Sequence, residues 1–358
     1  MNVLHVVVAG EIGGAERMLV DLVRASSSTH AIALMTPSDR LRALFRDSGL
    51  DVVDRGPVRE DPVSFLARSL GRRDVRWLAD LARERGARVV HTHTFASQVV
   101  GTRAAIAAGA RVVRTEHSTR VFDDPSCWPF SRWSLRRADA SVCISEHVRR
   151  VALAKAPWAE AKMRVVPNGV DVARFGSVAL PSPSERVRFL ISGRLEPRKG
   201  VDVALHALAL VPGAELEIAG DGDDRDALQR LAAKLGVGAR ARFTGFFTDV
   251  RDAIARADVA LSSARAEGLG IALLEAMAAR RPVVALPTGG VPELVRDGET
   301  GWLARGATAE ALARAMKDAM TSAEERARRG ERARELAAER FSIDAMARGY
   351  EAVYASIT

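Results

Sequence analysis

Short apolar runs alternate with stretches of helical period along most of the chain. Val3–Ala9, Ala31–Met35, Val89–His91, Arg111–Arg114, Ala140–Ile144 and Arg164–Val166 read as buried strands. Between them, Ala15–Arg24 and Val75–Arg85 carry apolar residues at helical spacing. The alternation resumes in the second half with Phe189–Ser192, Leu216–Ala219, Val259–Ser262 and Val283–Leu286. Strands that alternate with helices of this length predict βαβ units and parallel sheets. The segment Asp171–Glu185 interrupts the pattern with Gly176, Pro181, Pro183 and three serines, which is linker chemistry. Two sheets are therefore expected, in a first domain over residues 1–176 and a second over 177–340. Thr308–Arg340 reads as a helical stretch rich in Ala, Glu and Arg. Residues 341–358 read as a last amphipathic helix that packs back on the first domain.

The length of 358 residues fits two domains of about 100–200 residues each. No run of 18 apolar residues occurs, which argues against a membrane-spanning helix. Met1–Val8 lacks a basic leader region and reads as a first strand rather than a signal peptide. The two cysteines, Cys127 and Cys143, form no CxxC. That excludes a disulfide framework and a cysteine zinc site, and a cytoplasmic location is expected. The net charge of +8 falls wholly within residues 1–170, leaving the second half neutral. A basic first half fits an anionic membrane, a nucleic acid or an acidic substrate, or simply an Arg-rich composition.

In open parallel sheets the functional residues follow the carboxyl ends of strands. The first such turn, Gly10-Glu11-Ile12-Gly13-Gly14-Ala15, opens a helix and lets backbone approach an anion. It is not GxGxxG, and no acidic residue follows at the place of a ribose contact, so a nicotinamide cofactor is disfavoured. Glu267-Gly268-Leu269-Gly270-Ile271-Ala272-Leu273-Leu274-Glu275 follows the strand Val259–Ser262 and opens another helix. Its glutamates lie roughly 12 Å apart if helical, too far for a glycosidase pair but suited to two ends of one elongated ligand. Gly193-Arg194-Leu195-Glu196-Pro197-Arg198-Lys199-Gly200 offers a guanidinium fork and an ammonium to phosphate oxygens. Asp221-Gly222-Asp223 formally matches a metal-binding DxD, but the strand–glycine–helix context favours Asp223 or Asp224 as a helix cap. His91-Thr92-His93 ends a strand without a clear third metal ligand, so no metal is expected there. Glu116 and His117, after another strand, are candidates on the same grounds.

The ordered set of Gly13-Gly14, His93, Val166-Pro167-Asn168-Gly169-Val170-Asp171, Gly193-Arg194 with Arg198-Lys199-Gly200, Gly220-Asp221-Gly222, Glu267 with Glu275, and Gly289-Gly290-Val291-Pro292-Glu293 resembles glycosyltransferase family 4. Those are retaining enzymes of GT-B fold, with two Rossmann-like domains facing across a cleft. The resemblance spans nearly the whole chain and is most specific in the second half. It implies that Arg194 and Lys199 grip the donor diphosphate, with Gly13, Gly14, Leu269 and Gly270 supplying backbone. Glu267, with Gly268 and Leu269, would hold the donor sugar, and Glu275 the ribose. The backbone of Thr244, Gly245, Phe246 and Phe247 would frame the base. His93 and Glu267 would stand at the reacting centre, and Glu116 and His117 on the acceptor side. It further implies a hexose moved from a nucleotide-diphosphate sugar to a hydroxyl of a saccharide, lipid-linked saccharide or small metabolite. Uridine is the expected base, with guanine open. No cofactor or metal is required, because protein cations neutralise the leaving diphosphate. Val121–Arg137 sets Trp128, Phe130 and Trp133 beside Arg132, Arg136 and Arg137, as a membrane-interface patch, an acceptor platform, or a loop and helix packed on the first domain. A nucleotide-sugar epimerase or hydrolase on the same fold is the competing reading. A nucleic-acid-binding protein is a distant one, since no such motif is present.

Overall fold

The computed structural model describes residues 1–358 except Glu60, Pro183 and Thr248. It divides into two units, Met1–Asn168 with Ile343–Thr358, and Gly169–Ser342. The division falls after Asn168 rather than after residue 176. Within the expected linker, Val172–Gly176 is helical, started by Asp171, whose carboxylate accepts from the Arg174 amide at 2.8 Å. Of the linker prolines, Pro183 lies outside the described residues.

The first unit holds seven parallel strands: β1 (Asn2–Val8), β2 (Thr29–Met35), β3 (Asp51–Asp54), β4 (Val89–Thr92), β5 (Arg111–Glu116), β6 (Ala140–Cys143) and β7 (Met163–Val165). Their order is β3-β2-β1-β4-β5-β6-β7. The inner strands are buried almost end to end because helices cover both faces of a parallel sheet. One face carries Leu4, Val6, Val8, Val90 and Val112 into an apolar core with the helices Arg73–Glu84 and Phe95–Ala108. The other carries His5 and His91, which pair in register across β1 and β4. The C-terminal helix Ile343–Ile357 belongs to this unit and buries Met346, Ala347, Tyr350, Val353 and Tyr354. Cys127 and Cys143 are buried free thiols.

The second unit holds β8 (Val187–Ser192), β9 (Ala214–Ala219), β10 (Ala241–Gly245), β11 (Val259–Ser262), β12 (Val283–Ala285) and β13 (Gly301–Leu303), ordered β10-β9-β8-β11-β12-β13. In both sheets the strand order reverses beside the first strand of the unit: between β1 and β4 in one, between β8 and β11 in the other. Such a reversal opens a crevice at the carboxyl ends of those two strands, where ligands bind in this class of sheet. The Ala/Glu/Arg-rich stretch is two helices, Ala309–Met320 and Ala323–Arg340. Ser322 caps the second by accepting from the Glu325 amide at 3.1 Å. Among the described residues no helix is long and apolar enough to cross a membrane.

Candidate active site

In the second unit the residues singled out from the sequence gather at the crevice between β8 and β11. The loop after β8 carries Arg194 and a short 3₁₀ turn, Pro197–Lys199. Gly200 follows with φ +61°, and a Cβ there would lie 2.1 Å from the Ser263 carbonyl oxygen, so the two loops touch backbone to backbone. Arg265 N donates to Arg198 O at 2.8 Å, and Ser263 Oγ donates to Lys199 O at 3.2 Å. The result brings Lys199 Nζ to 2.5 Å from Glu267 Oε2, with both side chains largely buried. Lys199 and Glu267 line one pocket with Ser192, Ser263, Gly270 and Leu273.

Gly289 and Gly290 brace this site from beneath. Gly289 has φ +59°, and a Cβ on it would meet the Glu267 carbonyl oxygen at 1.9 Å; Gly290 N donates to that oxygen at 2.9 Å. The helix Ile271–Ala278 starts at Gly270, so its amino end, where anions are stabilised, opens beside Glu267. Gly268, Leu269 and Gly270 are buried, Glu275 is half-buried on the same helix, and Arg194 is exposed on the loop after β8.

Thr244–Phe247 lies at the end of the edge strand β10. Thr244 Oγ1 donates to Ile218 O at 3.3 Å, Gly245 turns the chain at φ +79°, and Phe246 leaves half its surface to solvent. Phe247 packs beneath the Arg256 guanidinium. Asp221 is held by the Gly222 amide at 2.9 Å and by Arg225 at 3.4 Å.

In the first unit, Gly13 N donates to Glu16 Oε2 at 2.8 Å, so a carboxylate of the chain itself occupies the helix N-terminus at Gly14. Glu116 does not face solvent. It is buried on the opposite face of β5 from His117, 2.7 Å from the fully buried Arg114 and 3.0 Å from the donating Ser141 Oγ. That pair is internal structure, and at 2% exposure the carboxylate is closed to an acceptor hydroxyl.

His93 is 4% exposed, and both its ring nitrogens are engaged: Nε2 lies 2.8 Å from His5 Nδ1, and Nδ1 lies 3.4 Å from His117 Nε2. His5 Nε2 in turn lies 2.8 Å from His30 Nδ1. His91 meets Tyr354 OH and Thr115 Oγ1, each at 2.8 Å, and Thr115 meets Tyr350 OH at 3.1 Å. Burial pushes the imidazoles of His5, His91 and His93 well below the ordinary histidine value, and those of His30 and His117 down to about 4. Five of the seven histidines thus form one neutral belt across the sheet, with half-buried His117 as its outer member. Only His91, His93 and His117 stood out in the sequence. The missed signal was that His5 and His30 also occupy strands of the same sheet.

Residues 176–336 match the family described as glycosyl transferases group 1, and residues 12–174 match glycosyltransferase family 4. A GDP-mannose-dependent alpha-(1-6)-phosphatidylinositol monomannoside mannosyltransferase of Mycobacterium tuberculosis (strain CDC 1551 / Oshkosh) is 33% identical over 279 residues, 70% of each chain. The chain belongs to the group 1 glycosyltransferases. A lipopolysaccharide core biosynthesis glycosyltransferase, LpsE, of Rhizobium meliloti (strain 1021) is 34% identical over 228 residues, 62% of this chain and 65% of the relative. The match thus spans just under two thirds of that relative's length. The crystal structure of Anabaena Alr3699/HepE in complex with UDP and glucose aligns over 99% of both chains, with a TM-score of 0.83 at 23% identity. The group 1 glycosyltransferase described here has that fold: two Rossmann-like parallel-sheet domains of the GT-B class.

Proposed function

We propose that this protein is a retaining, metal-independent glycosyltransferase that moves a hexose from a nucleotide-diphosphate sugar to a hydroxyl acceptor. The observation that carries the reading is the Lys199–Glu267 pair, set between glycine-braced loops at the amino end of the helix Ile271–Ala278. It combines a cation and oriented amides for a diphosphate with a carboxylate for sugar hydroxyls. When donor binds, Lys199 turns from Glu267 to the phosphate oxygens, and Glu267 accepts from the sugar hydroxyls. Arg194 adds a second cation, Glu275 takes the ribose, and the Thr244–Phe247 backbone frames the base.

In the proposed step the glycosidic C–O bond to phosphate breaks while the acceptor oxygen bonds the anomeric carbon on the same face. The departing phosphate takes the acceptor proton. The developing charge on that phosphate is stabilised by Lys199, Arg194 and the helix amino end, with no separate nucleophile. Uridine is the base we favour, supported by the UDP-bound structure of similar fold; the GDP-mannose-dependent relative supports guanine as the alternative. A titration of UDP- and GDP-hexoses followed by calorimetry decides between them, and an absence of binding by either class rejects the donor assignment.

Because protein cations meet the diphosphate, transfer is expected to survive EDTA with less than about a twofold change. Loss of activity with chelator, restored by manganese, would make Asp221 and Asp223 ligands after all.

The acceptor is assigned to the first unit and to a site beside an anionic membrane. Trp128, Phe130 and Trp133 support this less than the sequence implied, because all three rings are half-buried. Phe130 packs edge-on to Phe65, Trp128 against Phe122, and Trp133 under Arg137. The apolar surface lies instead on the helix Pro62–Leu70, where Val63 and Leu70 are 76% and 65% exposed and the exposed Arg72 and Arg73 follow. Each basic residue near an anionic surface contributes about 1 kcal/mol. Liposome co-sedimentation should therefore require anionic lipid, fade with salt and weaken in Val63→Ser/Leu70→Ser. Equal pelleting with neutral lipid rejects the surface.

A further inference from the structure

His30 on β2, His5 on β1, His93 after β4 and His117 after β5 are joined end to end by three nitrogen–nitrogen hydrogen bonds of 2.8, 2.8 and 3.4 Å. In each bond Nδ1 of one ring faces Nε2 of the next, from His30 outward to His117. A neutral imidazole has one N–H and one bare nitrogen. Four neutral rings linked this way admit only two arrangements, with every N–H pointing outward or every N–H pointing inward. Burial keeps the four rings neutral.

The inner end decides between them. His30 Nε2 is buried and has no hydrogen-bond partner. The Glu351 carboxylate, which acts on His30 through space, is spent on Ser26 Oγ, Ser27 N and Ser27 Oγ at 2.6–2.9 Å. A hydrogen on His30 Nε2 would be an orphaned buried donor, a rare and costly state. A bare nitrogen there is the lesser penalty.

We propose that the chain is polarised outward, so that His30, His5, His93 and His117 all carry their hydrogen on Nδ1 and His117 presents an Nδ1–H donor at the open end. Among the described residues that nitrogen has no protein partner, and it is the atom from which a hydrogen bond leaves the belt toward a ligand oxygen. His5 and His30 are then positioning residues: they touch no substrate and act by fixing the tautomers of His93 and His117. The assignment of tautomers stands on the three hydrogen bonds, the partnerless His30 Nε2 and the neutrality of the buried rings. Its kinetic consequence rests on the glycosyltransferase reading.

The test is a long-range ¹⁵N–¹H correlation spectrum of the full chain with labelled histidine at neutral pH. Expected are protonated Nδ1 and bare Nε2 on all four rings. Nε2–H on His93 or His117 overturns the proposal. So does a stoichiometric metal found by elemental analysis, since the nitrogens of His5, His91 and His93 lie within 4.8 Å of one another and a metal there would displace the His5–His93 bond. A second arm replaces the inner ring. His30→Phe removes the polarising end, and His117 should shift to a mixture of tautomers. Turnover should fall about tenfold, with the donor KM changed by less than about twofold. His30→Asn keeps an amide donor for His5 Nε2 and should recover most of that loss. Equal losses in the two variants would show that His30 is merely structural. If His30→Phe fails to fold, the unsubstituted spectrum and the Asn variant decide.

Discussion

Lys199→Ala is expected to weaken nucleoside-diphosphate binding by about 100-fold, close to 3 kcal/mol. Two effects combine. The substitution removes a charge-assisted bond to phosphate, and it leaves the Glu267 carboxylate, 14% exposed, without its cation and facing an incoming dianion. The second effect makes the prediction specific. Adding Glu267→Gln to Lys199→Ala should restore about tenfold of the lost affinity, because the repulsion goes while the missing cation stays missing. Glu267→Gln alone should bind diphosphate nearly normally and lose turnover, since its partner is the donor sugar. Calorimetry with UDP and GDP on the three variants completes the cycle. Unchanged affinity in Lys199→Ala would remove the phosphate assignment. Additive behaviour in the double variant would separate the ion pair from binding.

Acid is expected to unfold the first unit far sooner than the second. His30 and His117 have folded pKa values of about 4 against an ordinary value of 6.5 in the unfolded chain. Below pH 6.5 the unfolded chain binds more protons than the folded one. The stability these rings contribute is therefore complete above pH 6.5 and is lost as the pH falls toward 4. Each of the two accounts for about 3 kcal/mol by pH 4, and His5, His91 and His93, shifted in the same direction, add to it. Domains are stable by about 5–15 kcal/mol, so this loss is decisive. Carboxylates held low in the second unit, such as Glu325 beside Arg328 and Arg329, lose their contribution only at lower pH. Four of the five tryptophans lie in the first unit, so fluorescence reports chiefly on it. Its urea midpoint should drop steeply between pH 6.5 and 5. A flat midpoint across that window would show that the belt is not neutral and buried as described.

The interior of the fold was legible because buried parallel strands are continuous apolar runs. Three strands were not read: β3, β10 and β13. All three are sheet edges: β3 and β10 carry polar residues there, Asp51 and Asp54 of β3 being exposed outright, and β13 is only the three residues Gly301–Leu303, too short to show a pattern. The loops after β8 and β11 were legible because backbone contacts as close as those at Gly200 and Gly289 admit only glycine, which leaves a mark in the sequence. Glu116 misled because a carboxylate after a strand looks the same whether it faces a ligand or a buried arginine. Only the pleat separates it from His117. The histidine belt escaped notice because its members come from four strands spread over more than a hundred residues, and only register brings them together.

The most direct measurement of the central claim is acceptor-dependent transfer. The protein is incubated with a UDP- or GDP-hexose that it binds, with and without a panel of saccharide and lipid-linked saccharide acceptors, and the products are analysed by mass spectrometry and anomeric NMR. Expected is release of nucleoside diphosphate that rises at least about tenfold with one acceptor and yields a glycoside with the anomeric configuration of the donor. Release that ignores every acceptor, or return of an epimerised nucleotide sugar, would contradict glycosyl transfer and make the protein a hydrolase or an epimerase on this fold.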